Sequence, residues 1–108
     1  MLGMAQKAGR VVSGGFAVEK LIQSGRAAGV IVACDASENT KKMFRNKCEY
    51  YEIPFAVFST RERLGKAIGR EERVTIALND EGFSGAVMKL IREKTSVEGD
   101  KNGIRREE

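Results

Sequence analysis

The chain has 108 residues, of which 42% are hydrophobic and 31% are charged, which is ordinary for a soluble globular protein. That length supports a single domain able to bury a core without metals or disulfides. No apolar run approaches the roughly 18 residues that a membrane-spanning helix needs. The N-terminus also lacks the charged and apolar regions of a secretory signal. We therefore expect a cytoplasmic protein without membrane contacts, and a monomer.

The net charge of +4 is concentrated in the first half of the chain. Residues 1–49 contain eight Lys or Arg and four Asp or Glu, whereas residues 50–93 contain seven of each sign and residues 94–108 four of each. A localised positive excess suits a polyanion such as RNA. A pI of 9.3 is also common among small soluble proteins, so the charge alone leaves that simpler explanation open.

Residues that could carry catalysis or hold a metal are scarce. The chain has no histidine, the usual general base near neutral pH and the commonest metal ligand. Cys34 and Cys48 lack CxxC spacing and lie in apolar patterns, so we expect both to be small core residues. There is no P-loop and no GxGxxG fingerprint. Asp35 follows a buried strand, where active sites often lie, but a turn or cap role suits it better. We expect no enzyme, no metal and no cofactor.

Hydrophobic periodicity and the glycine positions divide the chain into alternating helices and strands. The pattern predicts strands at about residues 10–13, 30–34, 55–58 and 74–78 and helices at about residues 2–8, 16–24, 38–51, 60–68 and 83–93. Ser37 is a good N-cap for the third helix, and Ser59 with Glu62 has capping-box spacing for the fourth. The side chains predicted to face the core are Phe44, Cys48 and Tyr51 on the third helix, Leu64, Ala67 and Ile68 on the fourth, and Phe83, Val87, Leu90 and Ile91 on the last.

Alternating strands and helices with short connections predict the α/β class, as a three-layer α/β/α sandwich around a mixed four-stranded sheet. The order of the strands does not follow from the pattern. We expect one domain over residues 1–93. From residue 94 onward the apolar periodicity ends, which indicates a charged, disordered tail over residues 94–108.

The stretch from Ser13 to Lys20 is the best candidate for a nucleic-acid contact. Gly14 and Gly15 allow another backbone to approach closely and make a positive φ inexpensive. The first free N–H groups of the following helix attract anions. On a helical projection Phe16 and Lys20 lie roughly 160° from Val18, which faces the core. A cation and an aromatic ring therefore share the outward face beside a phosphate-sized cradle.

Two of these side chains have simpler explanations. Phe16 either stacks on an exposed base or folds back onto the first helix as a hydrophobic staple. Lys20 either holds phosphate or is a solvated surface lysine.

The sequence resembles the kink-turn RNA-binding ribosomal proteins, the L-seven-Ae/L-thirty-e superfamily, over roughly residues 2–93. The resemblance rests on VSG at 12–14, AVEKLIQSG at 17–25, ACDAS at 33–37, LGKAIG at 64–69 and ALND at 77–80. It is closer still to the family's bacterial YlxQ subgroup, through DASENT at 35–40, KCEYY at 47–51 and GREERV at 69–74. These motifs are spread along the whole domain.

The resemblance implies an α/β/α sandwich that inserts one helix N-terminus into the widened major groove of a kinked RNA. The family's glycine falls on Gly14, its helix lysine on Lys20, and its second RNA-facing loop on residues 70–73. Ribosomal or kink-turn RNA is the implied partner, with ribosomal proteins as a second class. The RNA-binding residues expected on this basis are Ser13, Gly14, Gly15, Phe16, Ala17, Lys20, Asp35, Arg70, Glu71, Glu72 and Arg73.

The chain departs from the family pattern at both RNA-facing segments. Archaeal-type members place an Asn–Glu pair where this chain has Phe16 and Ala17, neither of which can hydrogen-bond to bases. Each good bidentate base contact supplies roughly 1–3 kcal/mol of discrimination. The second loop is usually apolar, whereas Glu71 and Glu72 would face phosphates here. We expect the glycine turn to grip RNA backbone better than it reads sequence.

Two other functions are alternatives to RNA binding. A protein-interaction module in ribonucleoprotein assembly or stress response would show an exposed apolar patch away from the glycine turn. A small-molecule enzyme would need a polar pocket at the strand end near Asp35, and fold alone does not confer such an activity.

Overall fold

The computed structural model describes the backbone of residues 9–102 and the side chains of residues 9–93. The helix predicted at residues 2–8 lies outside the described residues. The described elements alternate along the chain as β1 (Val11–Ser13), α1 (Gly15–Gln23), β2 (Gly29–Val32), α2 (Glu38–Tyr51), β3 (Phe55–Val57), α3 (Arg61–Ala67), β4 (Thr75–Leu78) and α4 (Glu81–Asn102).

The four strands form one mixed sheet in the order β1-β4-β2-β3. Strand β2 runs parallel to β3 and antiparallel to β4, and β1 runs antiparallel to β4. Ser13, the last residue of β1, pairs with Ile76 near the start of β4. The turn that follows β1 and the loop that precedes β4 therefore meet at the same end of the sheet.

Helices cover both faces of this sheet, so the predicted three-layer α/β/α fold is confirmed. Successive residues of a strand point to opposite faces. Ile31 packs with the α3 and α4 side chains, whereas Val30 and Val32 pack with those of α1 and α2. Every residue of β2 and β4 is buried. That double coverage explains why β2 is a continuous apolar run and why β4 is apolar apart from Thr75, without an alternating pattern.

Polar N-cap residues mark the starts of α2 and α3, and one of the two differs by one residue from the prediction. Ser37 is confirmed as the N-cap of α2, where its Oγ accepts a hydrogen bond from the Thr40 N–H at 3.1 Å. The predicted Ser59 cap of α3 is wrong. Thr60 has the extended cap conformation and accepts from the Arg63 N–H at 3.2 Å. Ser59 instead has a φ of 65°, and its carbonyl accepts from the Cys34 N–H at 2.7 Å.

The two cysteines differ in their surroundings. Cys34 is exposed, so its predicted place in the core is wrong, because β2 ends at Val32 and Cys34 already lies in the following turn. Cys48 is buried as predicted. Desolvation on burial raises the pKa of the Cys48 thiol to about 11. Cys48 is therefore a protonated, apolar packing group near neutral pH.

Three further side chains predicted to face the core are exposed: Tyr51, Ala67 and Leu90. Tyr51 and Ala67 are the last residues of α2 and α3, where each helix ends. Leu90 lies about 100° from Ile91 around α4. It therefore falls outside the buried stripe that Val87, Met88 and Ile91 form.

Helix α4 continues to Asn102, into the segment that the loss of apolar periodicity predicted to be disordered. Residues 103–108 lie outside the described residues, and the domain boundary at residue 93 stays a prediction. Extending an existing helix by one residue avoids the cost of nucleation, so helical backbone can continue beyond an apolar stripe. Among the described residues, no helix is both long and apolar enough to cross a membrane.

Candidate nucleic-acid interface

Gly14 joins β1 to α1 through a conformation that favours glycine. Its φ is 94° and its ψ is 140°. A Cβ added at this position would meet nothing within 4 Å. Glycine is therefore favoured here by the positive φ, and not because a side chain would lack space. The Gly14 N–H donates to the Thr75 carbonyl at 3.0 Å, and the Gly14 carbonyl accepts from the Val18 N–H at 2.9 Å. The first bond holds the start of α1 against the start of β4, and the second is the first hydrogen bond of the helix itself.

The N-terminus of α1 differs from those of the other described helices because no side chain caps it. Ser37 and Thr60 cap α2 and α3, and Asp80 accepts from the Phe83 N–H of α4 at 3.1 Å. Those three helices also carry an acidic residue in the first turn, whereas α1 carries none. The first N–H groups of α1 have no partner within the helix. These groups give the helix end a partial positive charge. Among the described residues, no acidic side chain caps this end.

Beside this helix end, α1 presents an aromatic ring and a cation to solvent. Phe16 is 75% exposed, and the Lys20 Nζ lies 5.0 Å from the centroid of its ring. Val18 and Ile22, on the opposite face, are fully buried. The predicted outward face of α1 is confirmed. The staple alternative for Phe16 involves residues 2–8, which lie outside the described residues.

The loop at residues 70–73 lies directly beside the glycine turn. The Arg73 Nε donates to the Ser13 Oγ at 3.2 Å, and the Arg73 N–H donates to the Arg61 carbonyl at 3.0 Å. Arg73 is half-buried and holds the loop in place, whereas Arg70, Glu71 and Glu72 are exposed. The fold therefore brings together the two predicted segments, although about 60 residues separate them.

Gly65 supports the same loop and was not singled out by the sequence analysis as a site residue. A Cβ at this position would overlap the Glu71 carbonyl and lie within 3.1 Å of the Glu72 Cα. The Gly65 carbonyl also accepts from the Arg70 N–H at 2.8 Å. The available signal was a glycine in the middle of a helical pattern, where a packing role is the usual reason.

Asp35 lies next to α3, where both of its carboxylate oxygens contact Arg61. Its Oδ1 accepts from the Arg61 N–H at 3.0 Å, and its Oδ2 lies 3.5 Å from the Arg61 Nε. Asp35 therefore has the cap role that its residue type suggested. Grooves of about 300 and 400 Å³ lie near Ala28, at the opposite end of β2 from Asp35. Among the described residues, no three His, Cys, Asp or Glu side chains are grouped to hold a metal ion.

These features define a class: a compact α/β/α domain that presents an uncapped helix N-terminus and an adjoining charged loop at one end of its sheet. The chain belongs to the ribosomal protein L7Ae/L30e/S12e/Gadd45 family, whose model matches residues 1–88. The resemblance seen in the sequence motifs is thereby confirmed.

Individual relatives agree with this assignment. The chain is 42% identical over 91 residues to the RNA-binding protein YlxQ of Bacillus subtilis (strain 168), covering 84% of this chain and 91% of the relative. It is 38% identical over 92 residues to the RNA-binding protein YlxQ of Enterococcus faecium, with coverages of 84% and 87%.

Two solved structures share the fold. One is a protein with unknown function from Bacillus halodurans, with a TM-score of 0.82, 42% identity, and coverage of 84% of this chain and 92% of that chain. The other is a Giardia lamblia 15.5kD RNA binding protein, with a TM-score of 0.72, 19% identity, and coverages of 89% and 82%. At 19% identity, the second match shows only that the fold is shared.

Proposed function

We propose that this protein binds structured RNA through the Gly14–Gly15 turn and the N-terminus of α1. The observation that carries the proposal is the uncapped, acid-free start of α1, held beside the loop at residues 70–73. The two YlxQ relatives are named RNA-binding proteins, and both cover most of this chain. The family model matches residues 1–88, a range that includes both segments of the proposed interface.

The contact chemistry is directed at RNA backbone. Phosphate oxygens would accept hydrogen bonds from the free N–H groups of α1, in the favourable field of the helix end. Gly14 and Gly15 have no side chain to hold the phosphate away. Lys20, one turn further along α1, is exposed and adds a cation on the outward face. Such contacts position RNA without reading its sequence.

The RNA form that fits two adjoining protein segments is a kinked one. The glycine turn would enter a widened groove while the loop at residues 70–73 lies against the other side of the kink. Because Phe16 and Ala17 offer no hydrogen bonds to base edges, recognition would depend on backbone shape. Stacking of the exposed Phe16 ring on an unpaired base would add about 1–3 kcal/mol.

The acidic pair in the loop limits how RNA can lie. Glu71 and Glu72 are both exposed at the rim of the proposed interface. Two like charges 4 Å apart repel by about 1 kcal/mol in bulk water, and more near a protein surface. Glu71 and Glu72 therefore disfavour RNA phosphates directly over the loop. Arg70 would then be the main contact of the loop with the RNA backbone.

The wider role follows from this binding mode. The protein would act as a cytoplasmic, ribosome-associated monomer without catalytic activity, with ribosomal or kink-turn RNA as its ligand and ribosomal proteins as neighbours. Four of the five exposed large apolar side chains among the described residues lie on α1 and α2: Phe16, Met43, Tyr50 and Tyr51. The fifth, Leu90, lies alone on α4. Because the group begins beside the glycine turn at Phe16, it favours an extended RNA surface over a separate protein-interaction module.

Titration of a kink-turn RNA and a straight duplex of equal length, at two salt concentrations, tests the proposal. We expect tighter binding of the kinked RNA. Equal affinities with a steep salt slope would mean only nonspecific attraction. Absence of binding to both RNAs and to ribosomal RNA would contradict the proposal.

A pair of lysine variants locates the site. Lys20→Ala should weaken binding and lower the salt slope by about 0.7–0.9 for one lost phosphate contact. Lys89→Ala removes the same charge from an exposed position on α4, in the opposite layer, and should bind like the wild type. Equal effects of the two variants would rule out α1 as the contact element.

A further inference from the structure

We propose that the groove between α1 and α2 binds unpaired nucleotides that continue from the RNA held at the glycine turn. This inference rests on the proposed function and extends the RNA-binding surface to side chains on α2. The α1–α2 groove is defined by Phe16 and Lys20 on one wall, Met43 and Tyr50 on the other, and the Glu19–Lys47 ion pair as its floor.

Two contacts show how the helices lie side by side. A Cβ at Gly15, the first residue of α1, would be 3.9 Å from the Phe44 Cζ of α2. One turn later, the Lys47 Nζ lies 3.3 Å from the Glu19 Oε2. The two helices therefore advance in the same direction over these residues. The Glu19 and Lys47 side chains are only 34% and 29% exposed, which places their ion pair between the helices.

The wall on α2 follows from its helical geometry. Met43 and Tyr50 are seven residues apart, which puts them within about 20° of each other around the helix. Both lie about 40–60° from Lys47, on the side away from the buried Phe44 and Cys48. They are exposed by 39% and 80%. Two apolar side chains thus line the groove opposite Phe16.

Single-stranded nucleic acid fits this combination of side chains. Proteins that bind it combine cations along the backbone path with aromatic rings on which bases stack, and every base has a face that can stack. Here the exposed rings of Phe16 and Tyr50 flank the groove, and Lys20 lies 5.0 Å from the Phe16 ring centroid. The first half of the chain also carries the protein's positive excess.

The composition of the floor argues against a peptide as the occupant. A helical peptide binds by laying a continuous apolar face into a hydrophobic groove. The Glu19–Lys47 pair interrupts the apolar surface between Phe16 and Tyr50, and it would lose hydration under such a face. A polar backbone with separate flat bases can cross the pair while its bases reach the rings on either side.

The spacing sets the length of RNA involved. Packed helices lie 8–10 Å apart and rise 1.5 Å per residue, so Phe16 and Tyr50 are roughly 13 Å apart. Since stacked bases repeat at about 3.4 Å, the path between the rings takes a few nucleotides. An unpaired extension of about six nucleotides is therefore long enough to reach from the glycine turn to Tyr50.

The test compares blunt kink-turn RNA with the same RNA carrying a six-nucleotide unpaired extension on one strand or the other. We expect one extension to raise the affinity of the wild type about tenfold, within the range for one or two stacked bases. Tyr50→Ala should lose most of that gain without changing the affinity for blunt RNA, and Tyr50→Phe should keep it. Leu90→Ala, at an exposed apolar position on α4, is the matched control.

The outcomes separate this inference from the proposed function. If blunt RNA binds and depends on Lys20 but neither extension adds affinity, the groove proposal is wrong and the proposed function stands. If the Tyr50→Ala variant shows the same gain in affinity from the extension as the wild type, the groove proposal is also wrong. If neither RNA binds, both proposals fail. Photocrosslinking from 4-thiouridine in the extension to the segment at residues 43–50 would confirm the contact in the unaltered protein.

Discussion

At the scale of single residues, Gly65 couples the interior of α3 to the proposed interface. The loop at residues 70–73 passes so close to its Cα that no side chain fits without displacing backbone. The same loop reaches Ser13 through Arg73. A change at Gly65 is therefore expected to be felt at the glycine turn, although Gly65 itself is buried.

Gly65→Ala should lower the free energy of unfolding by about 1–3 kcal/mol, the usual cost of overpacking. Because the loop must shift, RNA affinity should fall as well. Thermal melting and RNA titration of the same preparation measure both effects. A Gly65→Ala variant as stable as the wild type would contradict this prediction.

The matched control is Gly85→Ala in α4. A Cβ at Gly85 meets nothing within 4 Å, and alanine is the better helix former by roughly 0.5–1 kcal/mol. This variant should be slightly more stable than the wild type and should bind RNA equally well. The contrast distinguishes loss of space at Gly65 from a general effect of replacing helical glycines.

Residue roles were predictable where local chemistry decides them. Ser37 caps α2 because its hydroxyl reaches a nearby N–H, and the Phe16–Lys20 face follows from helical spacing alone. The roles of Gly65 and Arg73 were not predictable, because each depends on a loop brought close by the tertiary fold. The Ser59 error was a shift of one residue between two adjacent hydroxyl side chains, both able to cap.

At the scale of elements, α1 combines an ordinary buried stripe with an unusual N-terminus. Val18 and Ile22 anchor it to the sheet, so its stability comes from packing and does not require a cap. An acidic side chain in its first turn would stabilise the helix end through its dipole. The absence of such a side chain therefore leaves the end available to an external anion.

Gly15→Asp tests this interpretation by supplying the missing negative charge. Gly15 is exposed, and a Cβ there meets only the Phe44 Cζ at 3.9 Å, an ordinary contact. We expect stability to be unchanged or raised by about 0.3–1 kcal/mol, while RNA binding is lost. Thermal melting and RNA titration give the two readings.

Two controls accompany Gly15→Asp. Gly15→Asn has nearly the same shape without the charge and should retain most of the binding. Gly85→Asp adds the same charge on α4 and should have little effect on binding. If Gly15→Asp binds RNA normally, the N-terminus of α1 is not the anion site.

Element types were predictable because the patterns have physical causes that act locally. β2 and β4 are covered on both faces, so β2 is an unbroken apolar run and β4 is apolar apart from Thr75. The end of α4 was not predictable by the same means, because hydrophobic periodicity reports the packing of an apolar face and not the continuation of the helical backbone. Among the described side chains, Ile91 is the last buried one of α4, whereas the helix continues to Asn102.

At the scale of the whole molecule, we predict that the packed domain is complete before residue 94. The buried α4 side chains that join the core are Val87, Met88 and Ile91. The segment at residues 94–108 carries equal numbers of acidic and basic residues. The net charge therefore does not depend on this segment, and we expect the same of the core.

A chain ending at residue 93 should keep the fold, with a melting temperature within a few degrees of the full chain. Its RNA affinity should also be unchanged, because the net charge stays at +4. Calorimetry and RNA titration of both chains provide the comparison. A large loss of stability would mean that residues beyond 93 belong to the domain.

Strand order was the part of the architecture that sequence patterns left open. The pairings of β1 with β4 and of β4 with β2 join residues far apart in the chain. Hydrophobic periodicity reports which faces are buried, but not which strand lies beside which. For the same reason, the sequence patterns did not show that the two segments of the proposed interface lie side by side.

The position of β1 at the edge of the sheet has a consequence during protein synthesis. The Gly14 N–H is held by the Thr75 carbonyl, and β1 finds its partner only in β4. A growing chain emerges with its N-terminal part first. The glycine turn is therefore made early but acquires its working shape only when the last strand has emerged. A nascent chain would remain unable to capture RNA until nearly the whole domain has left the ribosomal exit tunnel.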